Sequence, residues 1–139
     1  MSSYGALFST AHVERGRYQE AIDAADEEIA ADALDPEPVF NRGRALVGLL
    51  RFEEGTADLE RAATMDASSS GMETWHLDDC YFESLRIWAL EVGERDKARA
   101  MEILRRYLAV FPTGRHAGDL AKWQDHFDGV VKPWIRETV

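Results

Sequence analysis

The chain is poor in cysteine: Cys80 stands alone among 139 residues, so no internal disulfide can form and no pair of thiols sits at metal-binding spacing. Basic residues are also short, 16 against 26 acidic, and the resulting formal charge of -10 repels phosphate backbones and anionic lipid headgroups. Nucleic acid and membrane surfaces are therefore not expected partners. Lysine is scarcer still, since only Lys97, Lys122 and Lys132 carry an ammonium and the other basic side chains are arginine; this skew fits either a GC-rich genome or adaptation to high salt. No apolar run approaches the roughly 20 residues of a membrane-spanning helix. The opening residues, MSSYGALFST, lack a basic segment followed by a long apolar one, so no secretory signal is read and the cytoplasm is the expected compartment. Glycine-rich phosphate loops, GxSxG and HExxH are all missing, and neither an enzyme nor a cofactor is expected.

What is present is a chain with 45% hydrophobic residues, four Trp and only four Pro, neither disordered nor of low complexity. Its length suits one domain able to bury a continuous core without metal or disulfide. The segment Val39 to Asp66 reads as two helices and a tight turn, with Gly43 where the helices must touch, Leu46 one turn on, Phe52 and Gly55 opening the second helix, then Leu59 and Ala62. The preceding segment repeats this pattern: Gly16 to Leu50, Tyr18 to Phe52 and Ala21 to Gly55 are each 34 residues apart. There the expected helices are Tyr4 to Glu14 and Arg17 to Ala31, with Gly16 in the turn. Asp35 is a good N-cap for the next helix, and Pro36 at the first helical position loses no needed hydrogen bond.

These residues and their 34-residue period resemble the tetratricopeptide repeat family. The resemblance implies an all-α fold, a right-handed superhelical array of antiparallel helix pairs, because one pair cannot bury both apolar faces until a neighbour stacks on it. The expected organisation is a single domain over 1–139, with repeat 1 at about 2–35, repeat 2 at about 36–69, repeat 3 at about 70–112, a capping helix at about 113–127 and a tail over 128–139. In the third repeat, Ser70 and Glu73 have the spacing of a capping box that starts a helix near Gly71. That helix runs from Met72 to Val92, and Gly93 to Ala98 reads as a third copy of the turn. Leu50 to Gly93 is 43 residues, nine beyond the period, which lengthens the first helix by about two turns. Trp75, Leu77, Tyr81, Phe82, Leu85, Ile87, Trp88 and Leu90 make it apolar on nearly every side, so it is expected to be covered. The next helix, Arg95 to Phe111, carries an apolar stripe of Ala98, Met101, Leu104, Leu108 and Phe111. In the capping helix Leu120, Trp123 and Phe127 are expected to face inward. The tail, with Val130, Val131, Trp134 and Ile135, is expected to pack on the body.

The chemistry-bearing residues have bland alternatives that weigh more. His76 and Cys80 share a helix face with Asp79 nearby, but two ligands do not make a metal site, and a partly buried thiol beside a surface imidazole is favoured. Trp75, Trp88 and Trp123 are expected in the core rather than in a ligand cage. The acidic runs Asp26 to Glu28 and Glu53 to Glu54 read as solvated helix faces.

Within the family, a carboxylate clamp grips the C-terminal tails of chaperones. Its positions fall here on Ala6, Thr10, Asn41, Cys80 and Ser84, of which only Asn41 matches. Without the clamp's cations a bound carboxylate is not neutralised, and chaperone tails are not expected ligands. The groove is instead lined by Ala6, Thr10, Val13, Phe40, Asn41, Arg44, Val47, Ile87 and Leu90, with Glu83 and Glu91 at its edge. It suits an apolar or amphipathic peptide with basic flanks. Phe40, Arg44 and Ile87 are expected to be largely exposed in it, whereas Gly43, Leu46 and Ala62 face neighbouring helices. The expected function is a non-catalytic scaffold that binds a peptide on its concave side. The alternative is a self-assembling structural protein that uses its terminal or third-repeat helices as a homo-oligomer interface.

Overall fold

A computed structural model describes residues 7–129. The described residues are all-α, with no strand among them: α1 (Phe8–Glu14), α2 (Tyr18–Ala31), α3 (Pro36–Gly48), α4 (Phe52–Thr64), α5 (Thr74–Gly93), α6 (Lys97–Val110), a single 3-10 turn (Ala117–Asp119) and α7 (Leu120–Phe127). The chain divides into two compact units, one ending at Ser84 and the other beginning at Leu85, so the border falls inside α5. The residues before Leu7, and the apolar tail beyond Gly129, lie outside the described residues.

In the first unit α1 packs on α2, α2 on α3 and α3 on α4, and α1 also touches α3. The α1–α2 and α3–α4 turns have the same construction, 34 residues apart. Gly16 takes φ 73° and Leu50 φ 64°, both in the left-handed region. Arg17 N donates to His12 O at 2.9 Å, and Arg51 N donates to Leu46 O at 2.8 Å. A left-handed residue lets the chain reverse within three positions; glycine does so freely, while leucine works against its Cβ by about 1–2 kcal/mol. Leu50 is 65% exposed, so the packing of its own side chain does not repay that strain.

The close approach of α3 and α4 follows from two glycines. A Cβ on Gly43 would lie 2.8 Å from Gly55 O, and one on Gly55 would lie 2.6 Å from Val47 Cγ2. Thirty-four residues earlier the same places hold Ser9 and Ala21, both fully buried. Val13, Ala21, Ile22, Ala45 and Leu46 form a core cluster with Tyr18 packed against it. Across the second interface Arg42 of α3 donates twice to Asp58 of α4, at 2.8 and 3.0 Å, and once to Asp26 of α2 at 3.0 Å. The Asp58 bonds above all, with Asp26 adding to them, raise the arginine pKa against the opposing effect of burial, so the pair is a fixed ionic tie between three helices.

Asp35 caps α3 as its position predicts, accepting from Glu37 N at 3.0 Å with Pro36 at the first helical position. The capping box expected at Ser70 and Glu73 does not form. The Ser70 hydroxyl donates to Asp35 Oδ1 at 3.0 Å and accepts from Met72 N at 3.1 Å. This tertiary contact outcompetes the local one, and α5 begins at Thr74.

In the second unit the expected third copy of the turn is absent. Gly93 is the last residue of α5, and Arg95 N and Asp96 N both donate to Val92 O. Positive φ does not occur there. Asp96 caps α6 by accepting from Arg99 N at 2.9 Å, so the reversal is made by a side-chain cap instead of a left-handed residue. Gly93 is needed for a different reason, since a Cβ there would overlap the Phe127 ring. The buried stripe of α6 is Ala100, Met101, Ile103, Leu104 and Tyr107, rotated from the predicted one; Leu108 is 39% exposed and Ala98 is exposed too. Trp88 lies in the core, with the guanidinium groups of Arg99 and Arg106 at 5.6 and 5.4 Å from its ring centroid. The expected helix from Thr113 to Phe127 is shortened to Leu120–Phe127. Tyr107 Oη accepts from His116 N at 3.0 Å, and this bond holds the preceding turn. Leu120 and Phe127 are buried, as expected, and Trp123 is half-buried.

Candidate functional site

Helices α1, α3 and α5 all line a pocket of about 190 Å³ in the first unit. It is lined by Thr10 and Glu14 from α1, Glu37, Phe40, Asn41 and Arg44 from α3, Trp75 and His76 from α5, and the Gly71–Glu73 turn.

One wall is set by a buried chain of hydrogen bonds. Asn41, 1% exposed, uses both amide hydrogens of Nδ2, donating to Ser9 Oγ at 2.9 Å and to Thr10 Oγ1 at 2.8 Å. Each hydroxyl, already accepting from Asn41, must turn its own proton outward. Ser9 Oγ donates to Glu28 Oε1 at 2.5 Å, and Thr10 Oγ1 donates to Glu37 Oε2 at 2.9 Å. The Ser9 amide donates to the other Glu28 oxygen at 3.2 Å. The direction of the whole chain follows from the amide: donors point from Asn41 toward two carboxyl groups, whose oxygens accept. Glu37 is thereby oriented in the pocket, where its Oε1 stands 2.8 Å from the place a Cβ on Gly71 would occupy.

The other wall is aromatic. The Phe40 ring, only 2% exposed, meets the His76 ring edge-on at a centroid separation of 5.2 Å, and the Arg44 guanidinium lies 5.1 Å from its centroid. Phe40 therefore lies buried under Arg44 as the pocket floor, and the expectation that it is largely exposed is corrected. Trp75, expected in the core, is 53% exposed, and its Nε1 donates to Glu73 Oε2 at 2.6 Å. Desolvation is the main cause that lowers the His76 pKa, reinforced by Arg44, so the imidazole is neutral at pH 7 and is half-buried instead of a surface group. Burial likewise pushes the Cys80 thiol up, which keeps it protonated and poorly nucleophilic.

The remaining residues expected in a groove separate into other roles. Val13 and Val47 are core: Val13 sits in the α1–α3 cluster and Val47 packs against Gly55. Glu83 is exposed on α5. Ile87, 37% exposed, and half-buried Leu90 belong to the second unit. There Leu90 lines a cavity of about 310 Å³ with Gly93, Glu94, Lys97, His126 and Phe127. Ala6 lies outside the described residues. Sequence reasoning missed Glu14, Glu37, Glu73, Trp75 and His76 as pocket residues. The signal available was positional, since Glu14 follows Thr10 by one helical turn and Glu37 precedes Asn41 by one.

Comparison of the chain with protein-family models, with characterised proteins and with solved structures returns no match.

Proposed function

We propose that the protein is a non-catalytic scaffold of the tetratricopeptide-repeat type that binds an extended peptide segment through the pocket between α1, α3 and α5. The observation that carries this reading is the pocket itself: α1, α3 and α5 all present polar side chains to one shared concavity, and α3 and α5 add the aromatic ones. Such a surface takes a chain running across the helices, with main-chain groups available to Thr10 and Arg44 and a side chain entering between Trp75 and Phe40. The recurrence of the α1–α2 turn in α3–α4 at 34 residues supports the repeat reading.

The test is selection of a phage-displayed dodecapeptide library on the intact protein, followed by titration of enriched peptides against the parent and Trp75→Ala. Trp75 is exposed, so its truncation should leave the melting temperature nearly unchanged while weakening binding by about tenfold or more. Enriched peptides that bind Trp75→Ala as tightly as the parent would place the binding surface elsewhere.

A further inference from the structure

Building on that peptide-binding reading, we propose that the bound segment presents a lysine or arginine side chain to this pocket. Size is the first argument. At about 190 Å³ the cavity is smaller than the roughly 300–1,000 Å³ that holds a whole small-molecule ligand, so it suits a single side chain.

Charge is the second. Three carboxylates line the cavity, Glu14, Glu37 and Glu73, against one guanidinium, Arg44, and His76 adds no charge at pH 7. Arg44 lies over the Phe40 ring, where the π face already meets its charge and its remaining N–H groups can reach peptide carbonyls. An acidic side chain entering here would meet three like charges. A purely apolar one would desolvate the Glu14 and Glu73 carboxylates without supplying a counter-charge, leaving the Trp75 indole N–H bonded to Glu73 as before. A cation on an aliphatic stem satisfies both demands: the stem lies along the exposed Trp75 indole and the charge reaches the carboxylates. The indole is already turned by its bond to Glu73, so aromatic wall and carboxylate are presented together.

The experiment uses immobilised octapeptide pools, acetylated and amidated at their ends, with degenerate uncharged flanks and a central Arg, Lys, Leu or Glu. The full-length protein should be retained by the Arg and Lys pools about tenfold more than by the Leu pool, with the difference mostly lost at about 0.5 M NaCl. The double substitution Glu14→Gln with Glu73→Gln, at two exposed positions, should reduce that preference to about twofold. Glu14→Lys alone should lower it independently. Equal or greater retention by the Leu or Glu pool would overturn the cation while leaving the peptide scaffold standing. Retention by no pool would overturn both. A preference for Arg and Lys that survives both variants would show that the cation is read outside this pocket and would refute the assignment.

Discussion

Asn41 offers the sharpest perturbation, because its amide sets the direction of every hydrogen bond between Glu28 and Glu37. Asn41→Asp changes almost no volume but replaces two donors with acceptors. The Ser9 and Thr10 hydroxyls each own one proton, and both protons are committed to glutamates. After the substitution either the hydroxyls turn inward and leave Glu28 and Glu37 without their hydroxyl donors, Glu28 keeping only the Ser9 amide, or the new carboxylate stays unpaired. At 1% exposure the side chain finds no water to substitute. An uncompensated buried charge of this kind costs about 3–5 kcal/mol. Asn41→Ala removes the same two bonds without adding charge and should cost about 2–3 kcal/mol. Urea unfolding followed by far-UV circular dichroism reads both. With a slope of about 2 kcal/mol per molar, the Asp variant should lose about 2 M in midpoint and the Ala variant about half that. The Asp deficit should also depend on pH. Burial raises the pKa of the new carboxylate above its unfolded value of about 3.9, so the folded state binds the extra proton. The deficit, measured against the parent at each pH, is therefore small below about pH 4 and grows as pH rises toward the folded pKa. A variant within about 0.3 M of the parent at pH 7, or an Asp deficit no larger than the Ala one, would mean that the network does not run in the direction described.

Gly43→Ala should destabilise by about 1–3 kcal/mol, since the added methyl meets the Gly55 carbonyl at 2.8 Å, backbone that cannot swing aside; thermal unfolding measures it. His12 occupies the place that Leu46 fills 34 residues later, and its buried Nδ1 has no hydrogen-bond partner, so His12→Leu should raise stability by about 1 kcal/mol in the same assay. His76, whose pKa is lowered by burial, is disfavoured as a cation in the fold. Stability should be undiminished by it above about pH 6.5 and fall as pH drops through that value, and His76→Gln should flatten this part of the pH profile.

Much of the framework was legible before any packing was known, because it depends on interactions between near neighbours in the chain. The 34-residue spacing placed Leu50 in register with Gly16, and the two share a left-handed backbone although one of them is leucine. Asp35 and Pro36 marked the start of α3 through a cap that spans two residues. Gly43 and Gly55 identified the close α3–α4 contact, since only a missing Cβ permits it. The pocket was half legible: Thr10, Phe40, Asn41 and Arg44 fall where helical spacing on successive first helices puts them.

The rest was decided by which side chains from distant segments reach one another. Ser70 has the spacing of a helix cap, yet bonds Asp35, 35 residues away. Phe40 and Trp75 are both aromatic residues at helical spacing. One is buried because Arg44 and His76 cover it, and the other is exposed because its indole turns to Glu73. Val13 and Val47 fall into the core through small rotations about the helix axis that periodicity resolves only to within one position. Local sequence determined most of the helical segments and where the first pairs turn, because backbone propensity, capping and Cβ sterics act within a few residues; the start of α5 and the shortening of α7 were not among them. Which face became core, which became pocket, and which way the Asn41 protons point were decided by tertiary structure alone, since burial and hydrogen-bond direction belong to the assembled neighbours.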